Sequence, residues 1–171
     1  MNLEKIIDQK EIKQRVGELG TEISSHYQNE PLTIICVLKG SLVFTADLIR
    51  NIDTDINVEF LRVSSYAGTN RGKIKSIDRL HADIEGKNIL IVEDIVDSGN
   101  TINFIADELK KHSPESIRII TLLYKEDVYN FDMKIDWIGF NIKNDFVVGY
   151  GLDFDEKYRN RKSIYKINKN E

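Results

Sequence analysis

At 171 residues, with 41% hydrophobic and 30% charged residues, the chain has the size and composition of one globular domain. Its 24 Lys and Arg against 28 Asp and Glu give a formal charge of −4, which argues against a main role in neutralising a nucleic-acid backbone. No apolar run reaches the roughly 18 residues that span a bilayer. The start, MNLEKIIDQKEIKQR, lacks the apolar segment of a secretory signal. Cys36 is the single cysteine, which excludes an internal disulfide framework and a cysteine-based zinc cage. These features predict a soluble, cytoplasmic, single-domain protein with no nucleic-acid or membrane partner.

Leu3, Ile6, Ile7, Ile12, Val16 and Leu19 recur at roughly helical spacing, which predicts a helix over 3–19 stopped by Gly20. After Pro31, LTIICVLKG is a continuous apolar run ending at Lys39-Gly40 and reads as a buried parallel strand. SLVFTADLIRNI follows as a helix with Ser41 at its N-cap, then INVEFLRV as a strand. Residues 64–79, SSYAGTNRGKIKSIDR, hold two glycines and few apolar residues, which predicts a long mobile loop of the lid kind. NILIVE is another buried strand, and DIVDSGNT leads from it into the helix INFIADELKKH. SIRIITLLY, DWIGF and FVVGY complete the strands, and the basic stretch KYRNRKSIYKINKNE should fray at its end. Strands alternating with helices predict an α/β fold with a mostly parallel central sheet flanked by helices.

The chemistry concentrates in ILIVEDIVDSGNT, residues 89–101. Four aliphatic residues carry Glu93 and Asp94 to the carboxyl end of a strand, where open α/β sheets bind ligands. Asp97 follows, then Ser98, Gly99, Asn100 and Thr101 ahead of a helix. A glycine turn into a helix start offers free N–H groups and the positive end of a dipole, a cradle for phosphate. An isolated acid pair would merely end a strand. Acids, glycine and hydroxyls in this order after an apolar strand point instead to a sugar phosphate, or to magnesium beside it.

This segment resembles the phosphoribosyl-pyrophosphate (PRPP) signature of the purine phosphoribosyltransferases. VLKGS, SSY, VEDIVDSGNT, LLYK, DFVVGYGLD and the later Arg159 occur in the order and approximate spacing of the hypoxanthine-guanine phosphoribosyltransferase family, over nearly the full length. The resemblance implies the type I phosphoribosyltransferase fold as one domain over 1–171. A mobile lid would lie at about 64–79, with a small hood formed by terminal segments, about 1–20 and 125–171.

The same resemblance assigns residues. Lys39 and Gly40 would form the pyrophosphate loop, with a cis peptide bond where glycine limits crowding, and Arg159 would be a second pyrophosphate contact. Glu93 and Asp94 would hold the ribose hydroxyls directly or through Mg²⁺. Asp97 would face the five-membered ring of the purine as catalytic acid or base, and Ser98, Gly99, Asn100 and Thr101 would grip the 5′-phosphate. Lys125, which its position alone would make a solvated lysine at a strand end, would recognise the purine 6-oxo group. Phe146 and Val147 would supply the wall and backbone edge for the base, and Asp153 would meet the base edge and a second metal. Ser65 and Tyr66 would be the Ser-Tyr pair of the lid. Cys36 reads as inert core, and His26, His81 and His112 match no site position.

The function implied is purine salvage: Mg²⁺-dependent transfer of the phosphoribosyl group to N9 of hypoxanthine or guanine, giving the nucleoside monophosphate and pyrophosphate. The partners are PRPP and 6-oxopurines, with a homodimer or homotetramer as the assembly. Alternatives are a xanthine- or guanine-preferring phosphoribosyltransferase and a regulatory RNA-binding protein on the same fold.

Overall fold

The computed structural model describes residues 2–28, 30–65, 74–77, 83–131 and 133–168. The elements are β1 (Asn2–Ile7), α1 (Gln9–Tyr27), β2 (Leu32–Leu38), α2 (Leu42–Leu48), β3 (Ile56–Ser65), β4 (Ile74–Ile77), β5 (Asn88–Val96), α3 (Asn100–Lys110), β6 (Ser116–Tyr124), β7 (Trp137–Asn141), β8 (Val147–Val148) and β9 (Ile164–Asn168). A single 3₁₀ turn, Ile49–Asn51, extends α2.

Six strands form the central sheet in the order β4-β3-β2-β5-β6-β7. From β3 to β7 all pairs are parallel, and β4 joins the edge antiparallel to β3. The chain passes from β2 outward to β3, then β5 starts on the other side of β2, so the topology reverses between β2 and β5. Ligands bind outside the carboxyl ends of strands at such a reversal.

The central strands are apolar on both faces because both faces are covered. Leu90 and Val92 of β5 pack with Ile12, Val16 and Leu19 of α1, while Ile89 and Ile91 pack with Ile105 and Leu109 of α3. A second sheet, β1-β9-β8, is antiparallel and joins the two ends of the chain. Its Ile7, Val147 and Ile164 share the α1-side core.

Four expectations need correction. The predicted helix over 3–19 is a strand followed by a later helix: Leu3 pairs with Ile167 and Ile7 with Ile164. Asp8 caps α1, accepting from Lys10 N at 2.9 Å while its own N–H donates to Glu11 Oε2 at 2.8 Å, a capping box that sets the start. Gly20 does not stop the helix. A Cβ there would lie 2.4 Å from the Asn51 carbonyl oxygen, so glycine permits the approach of α1 to the 3₁₀ turn.

Ser41 occupies the cap position of α2 but makes no capping bond; its Oγ donates to Val37 O at 2.7 Å instead. Within the loop expected over 64–79, residues 74–77 pair with β3 as a strand. Ser64 and Ser65 belong to β3, and residues 66–73 and 78–79, with Tyr66, lie outside the described residues. The KYRNRKSIYKINKNE stretch contains β9, held between β1 and β8.

Candidate active site

Several of the expected residues lie at the carboxyl ends of neighbouring strands: β2 leads into Lys39-Gly40, β5 into Asp97–Thr101 and β6 into Lys125. The cis peptide is between Leu38 and Lys39, one bond before the glycine. A Cβ on Gly40 would fall 1.7 Å from Asp94 Oδ2, and one on Gly151 would fall 2.1 Å from Gly40 O. The loop after β2 is thus wedged between β5 and the turn after β8. Only hydrogen fits at both positions, and Gly151 also needs its φ of +103°.

β5 runs two residues beyond the acid pair, so Glu93 and Asp94 lie within the strand, and its alternation sends them to opposite faces. Asp94 meets Gly40, whereas Glu93 lines a hollow of about 80 Å³ with Asp97–Ile102. Burial, with the charge of Asp94 adding to it, pushes the Glu93 carboxyl well above its usual range. Burial likewise raises Asp94 to about 6, opposed by hydrogen bonding from Ile95 N and by the charge of Arg159.

Gly99 starts α3 at φ +89°, and a Cβ there would strike the Tyr129 and Phe131 rings, which cover the turn. Asn100 Nδ2 donates to Ser98 Oγ at 3.0 Å. Ser98, Thr101 and the first turn of α3, whose N–H groups are left open at a helix start, line the same hollow as Glu93.

Lys125 is buried, 7% exposed, and its Nζ donates to Asp97 Oδ2 at 3.0 Å and to Asn144 Oδ1 at 3.2 Å. It is not the solvated lysine its position alone suggests. Phe146 is 50% exposed, edge-on to Phe154 at 5.5 Å, and so stands at the surface instead of in the core. Val147 is buried in β8. Arg159 donates to Gly151 O at 2.9 Å and pairs with Asp153 Oδ1 at 2.8 Å. Ser65 closes β3.

Two partners had no motif to mark them. Asn144 shares the Lys125 ammonium, and Glu156 bonds Lys39 Nζ through both oxygens at 3.1 Å. The Lys39 ammonium holds Glu156 below the usual carboxylate range. Glu156 lies in DFDEKYR, a charge-dense stretch in which nothing singles it out.

Among the described residues no three His, Cys, Asp or Glu side chains form one metal-sized cluster. The expected metal set is not assembled here: Glu93 and Asp94 point to opposite faces of β5, and Asp153 pairs with Arg159. Hard carboxylate oxygens buried without a cation, as at Glu93 and Asp94, are the donor type a divalent ion takes. Larger cavities of about 890 and 720 Å³, lined by the 156–165 segment, α1 and α2, include no residue of 93–101.

A glycine turn at a topological reversal, beside paired acids and a loop wedged against them, is the arrangement expected of a phosphoribosyltransferase. The model of the phosphoribosyl transferase domain matches residues 2–155. The hypoxanthine-guanine phosphoribosyltransferase of Bacillus subtilis is 44% identical over 162 residues, which is 93% of this chain and 90% of that protein. The chain belongs to the hypoxanthine-guanine phosphoribosyltransferase family. The fold of the Bacillus anthracis enzyme superposes with a TM-score of 0.91 at 39% identity, covering 96% of this chain and 98% of that one. The bifunctional protein TilS/HprT of Listeria monocytogenes is 40% identical over 157 residues, and the chain spans 24% of its length. No helix among the described residues is long and apolar enough to cross a membrane.

Proposed function

We propose that this transferase acts in purine salvage, forming the bond from C1′ of PRPP to N9 of hypoxanthine or guanine while the bond from C1′ to pyrophosphate breaks. The reading places a single domain over 1–171 in the cytoplasm, working as a homodimer or homotetramer. The observation that supports it most is the 3.0 Å pair between Lys125 and Asp97 at the mouth of the phosphate turn. A donor suited to a 6-oxo group and a carboxylate suited to proton exchange with the base thereby share one hydrogen bond.

In this reading Ser98, Gly99, Asn100 and Thr101 hold the 5′-phosphate. Glu93 and Asp94 orient the ribose and offset the positive charge that develops on it. Asp97 exchanges a proton with the purine, an effect commonly worth ~10²–10⁴-fold. Lys39, Gly40 and Arg159 receive the departing pyrophosphate. Phe146 stacks on the base, and Val147 and Asp153 meet its edge. Mg²⁺, held by Glu93, Asp94 and Asp153 with substrate oxygens, would when bound neutralise phosphate charge. Ser65 and Tyr66 would exclude water as part of a lid.

The test is pyrophosphate release from PRPP and Mg²⁺ with hypoxanthine, guanine, xanthine and adenine in turn, repeated after exhaustive chelation. Release should depend on the base, favour hypoxanthine and guanine, and stop on chelation. Release independent of any base would overturn the transfer reading, and undiminished release after chelation would overturn the metal's role. A preference for xanthine would support the xanthine-preferring alternative.

A further inference from the structure

Lys39 and Arg159 are bridged by one carboxylate. Glu156 accepts from Lys39 Nζ through Oε1 and Oε2, both at 3.1 Å, and its Oε2 lies 3.4 Å from Arg159 Nη2. Lys39 and Glu156 are 117 positions apart in sequence, so the bridge ties the loop after β2 to the turn after β8. It is also open: the side chains of Lys39 and Glu156 are 52% and 67% exposed. Ion pairs this exposed are weak and yield to a competing anion of higher charge.

The turn that presents Glu156 is unusual. Asp155, Glu156 and Tyr158 have φ of 51°, 59° and 74°, in the left-handed region that side-chain-bearing residues rarely adopt. The turn is held by Phe154 and Lys157 bonding each other's backbones, and by Glu156 N donating to Asp153 Oδ2 at 2.9 Å. Strained backbone of this kind persists where the surroundings impose it, and it clusters at ligand clamps. Arg159 Nη2 also pairs with Asp153 Oδ1 at 2.8 Å, so Glu156 is the longer of its two carboxylate contacts, and the buried Nε has no hydrogen-bond partner among the described residues.

We propose that Glu156 is a built-in stand-in for pyrophosphate. In the free enzyme its carboxylate occupies Lys39 and Arg159; PRPP displaces it, and it competes for the same cations as pyrophosphate departs. The inference rests on the reading that Lys39 and Arg159 bind pyrophosphate. Its consequence is a site in which Lys39 keeps a counter-charge until the ligand arrives, and which trades product affinity for faster release.

Glu156→Gln keeps the shape of the side chain and removes its charge. Titration calorimetry with Mg²⁺ and pyrophosphate should show Kd falling by about fivefold, the scale of one exposed ion pair. The KM for PRPP should fall in parallel and that for hypoxanthine should not move. A merely structural role would not tighten pyrophosphate. Lys39→Ala is the companion measurement and should weaken pyrophosphate binding. If it does so while Glu156→Gln leaves Kd unchanged or raises it, the stand-in role is wrong and the site assignment survives. If Lys39→Ala leaves pyrophosphate affinity unchanged, the assignment fails and the inference falls with it.

Discussion

Lys125 Nζ lies 3.0 Å from Oδ2 of Asp97, so the lysine assigned to the base and the acid assigned to the proton are bonded to each other in the free protein. The lysine side chain is 9% exposed and the aspartate 49%, so the ammonium is the more desolvated partner and depends on the carboxylate. An ammonium has three donors and no acceptor. Asp97 and Asn144 take two, and the third has no partner among the described residues and can serve a ligand.

Asp97→Asn should therefore act on both partners. The amide cannot take up a proton from the purine, so kcat with hypoxanthine should fall by ~10²–10⁴. Lys125 loses a charged partner but keeps Asn144 and the oxygen of the new amide, and because its ammonium is buried the change should cost about 1–3 kcal/mol in stability, leaving the fold intact. Steady-state kinetics and thermal melting test the two parts. Turnover within about threefold of wild type, far below the usual acid–base contribution, would remove Asp97 from its role.

Base choice should follow from Lys125. A 6-oxo group accepts the free donor, whereas the 6-amino group of adenine would face it donor to donor in a dry pocket. Sites built on such a bond reject the wrong partner by ~10⁴–10⁵-fold. Glutamine at position 125 can donate or accept, so Lys125→Gln should lose much of the preference in kcat/KM for hypoxanthine over adenine. Efficient adenine turnover by the wild type would overturn the assignment of Lys125.

The acid pair should oppose folding when no metal is present. Burial raises Asp94 from 3.8 to about 6 and raises Glu93 as well. The folded protein then holds protons more tightly than the unfolded chain. The contribution is full below pH 3.8 and is lost as pH rises through about 6. In chelator at pH 7.5, Glu93→Gln with Asp94→Asn should melt higher than wild type, by roughly 2–4 °C for each kcal/mol relieved, and the gap should narrow at pH 5. The same variant should bind PRPP more weakly. A lower melting temperature at pH 7.5 would mean that the two acids serve the fold.

Gly40→Ala should disable the site while sparing the fold. The new methyl would meet Asp94 Oδ2 at 1.7 Å, so either the loop after β2 or the carboxylate must move. Displacements of about 1 Å in a reacting constellation can cost about 10²-fold in rate. Near-normal kcat/KM for PRPP in this variant would show that the wedge between β5 and the loop has no catalytic consequence.

Much of the frame is written locally. LTIICVL and NILIVEDIV are recognisable as parallel strands because both their faces are covered, which leaves no place for a polar alternation. The phosphate turn is equally local, since acids, glycine and hydroxyls follow one another within nine positions of one strand end. Its family resemblance is legible for the same reason.

What required the tertiary structure is each feature whose partner is distant in sequence. Leu3 and Ile7 have a spacing that suits a helix, but β9 pairs with them and makes a strand, because a strand's hydrogen bonds are satisfied by another segment and not by its own. Gly20 looks like a helix stop until Asn51 is brought against it. Lys125 looks solvated until β5 and the Asn144 loop supply two acceptors around a buried ammonium. Glu156 is one acid among several in DFDEKYR, and only the return of the chain to Lys39 distinguishes it. Periodicity and turn chemistry act over a few residues, so the sequence alone determined the central parallel strands and the turn. Which side chains neutralise which depends on how the strands are ordered across the sheet, and that was decided by packing both faces of β2 and β5 into two cores at once.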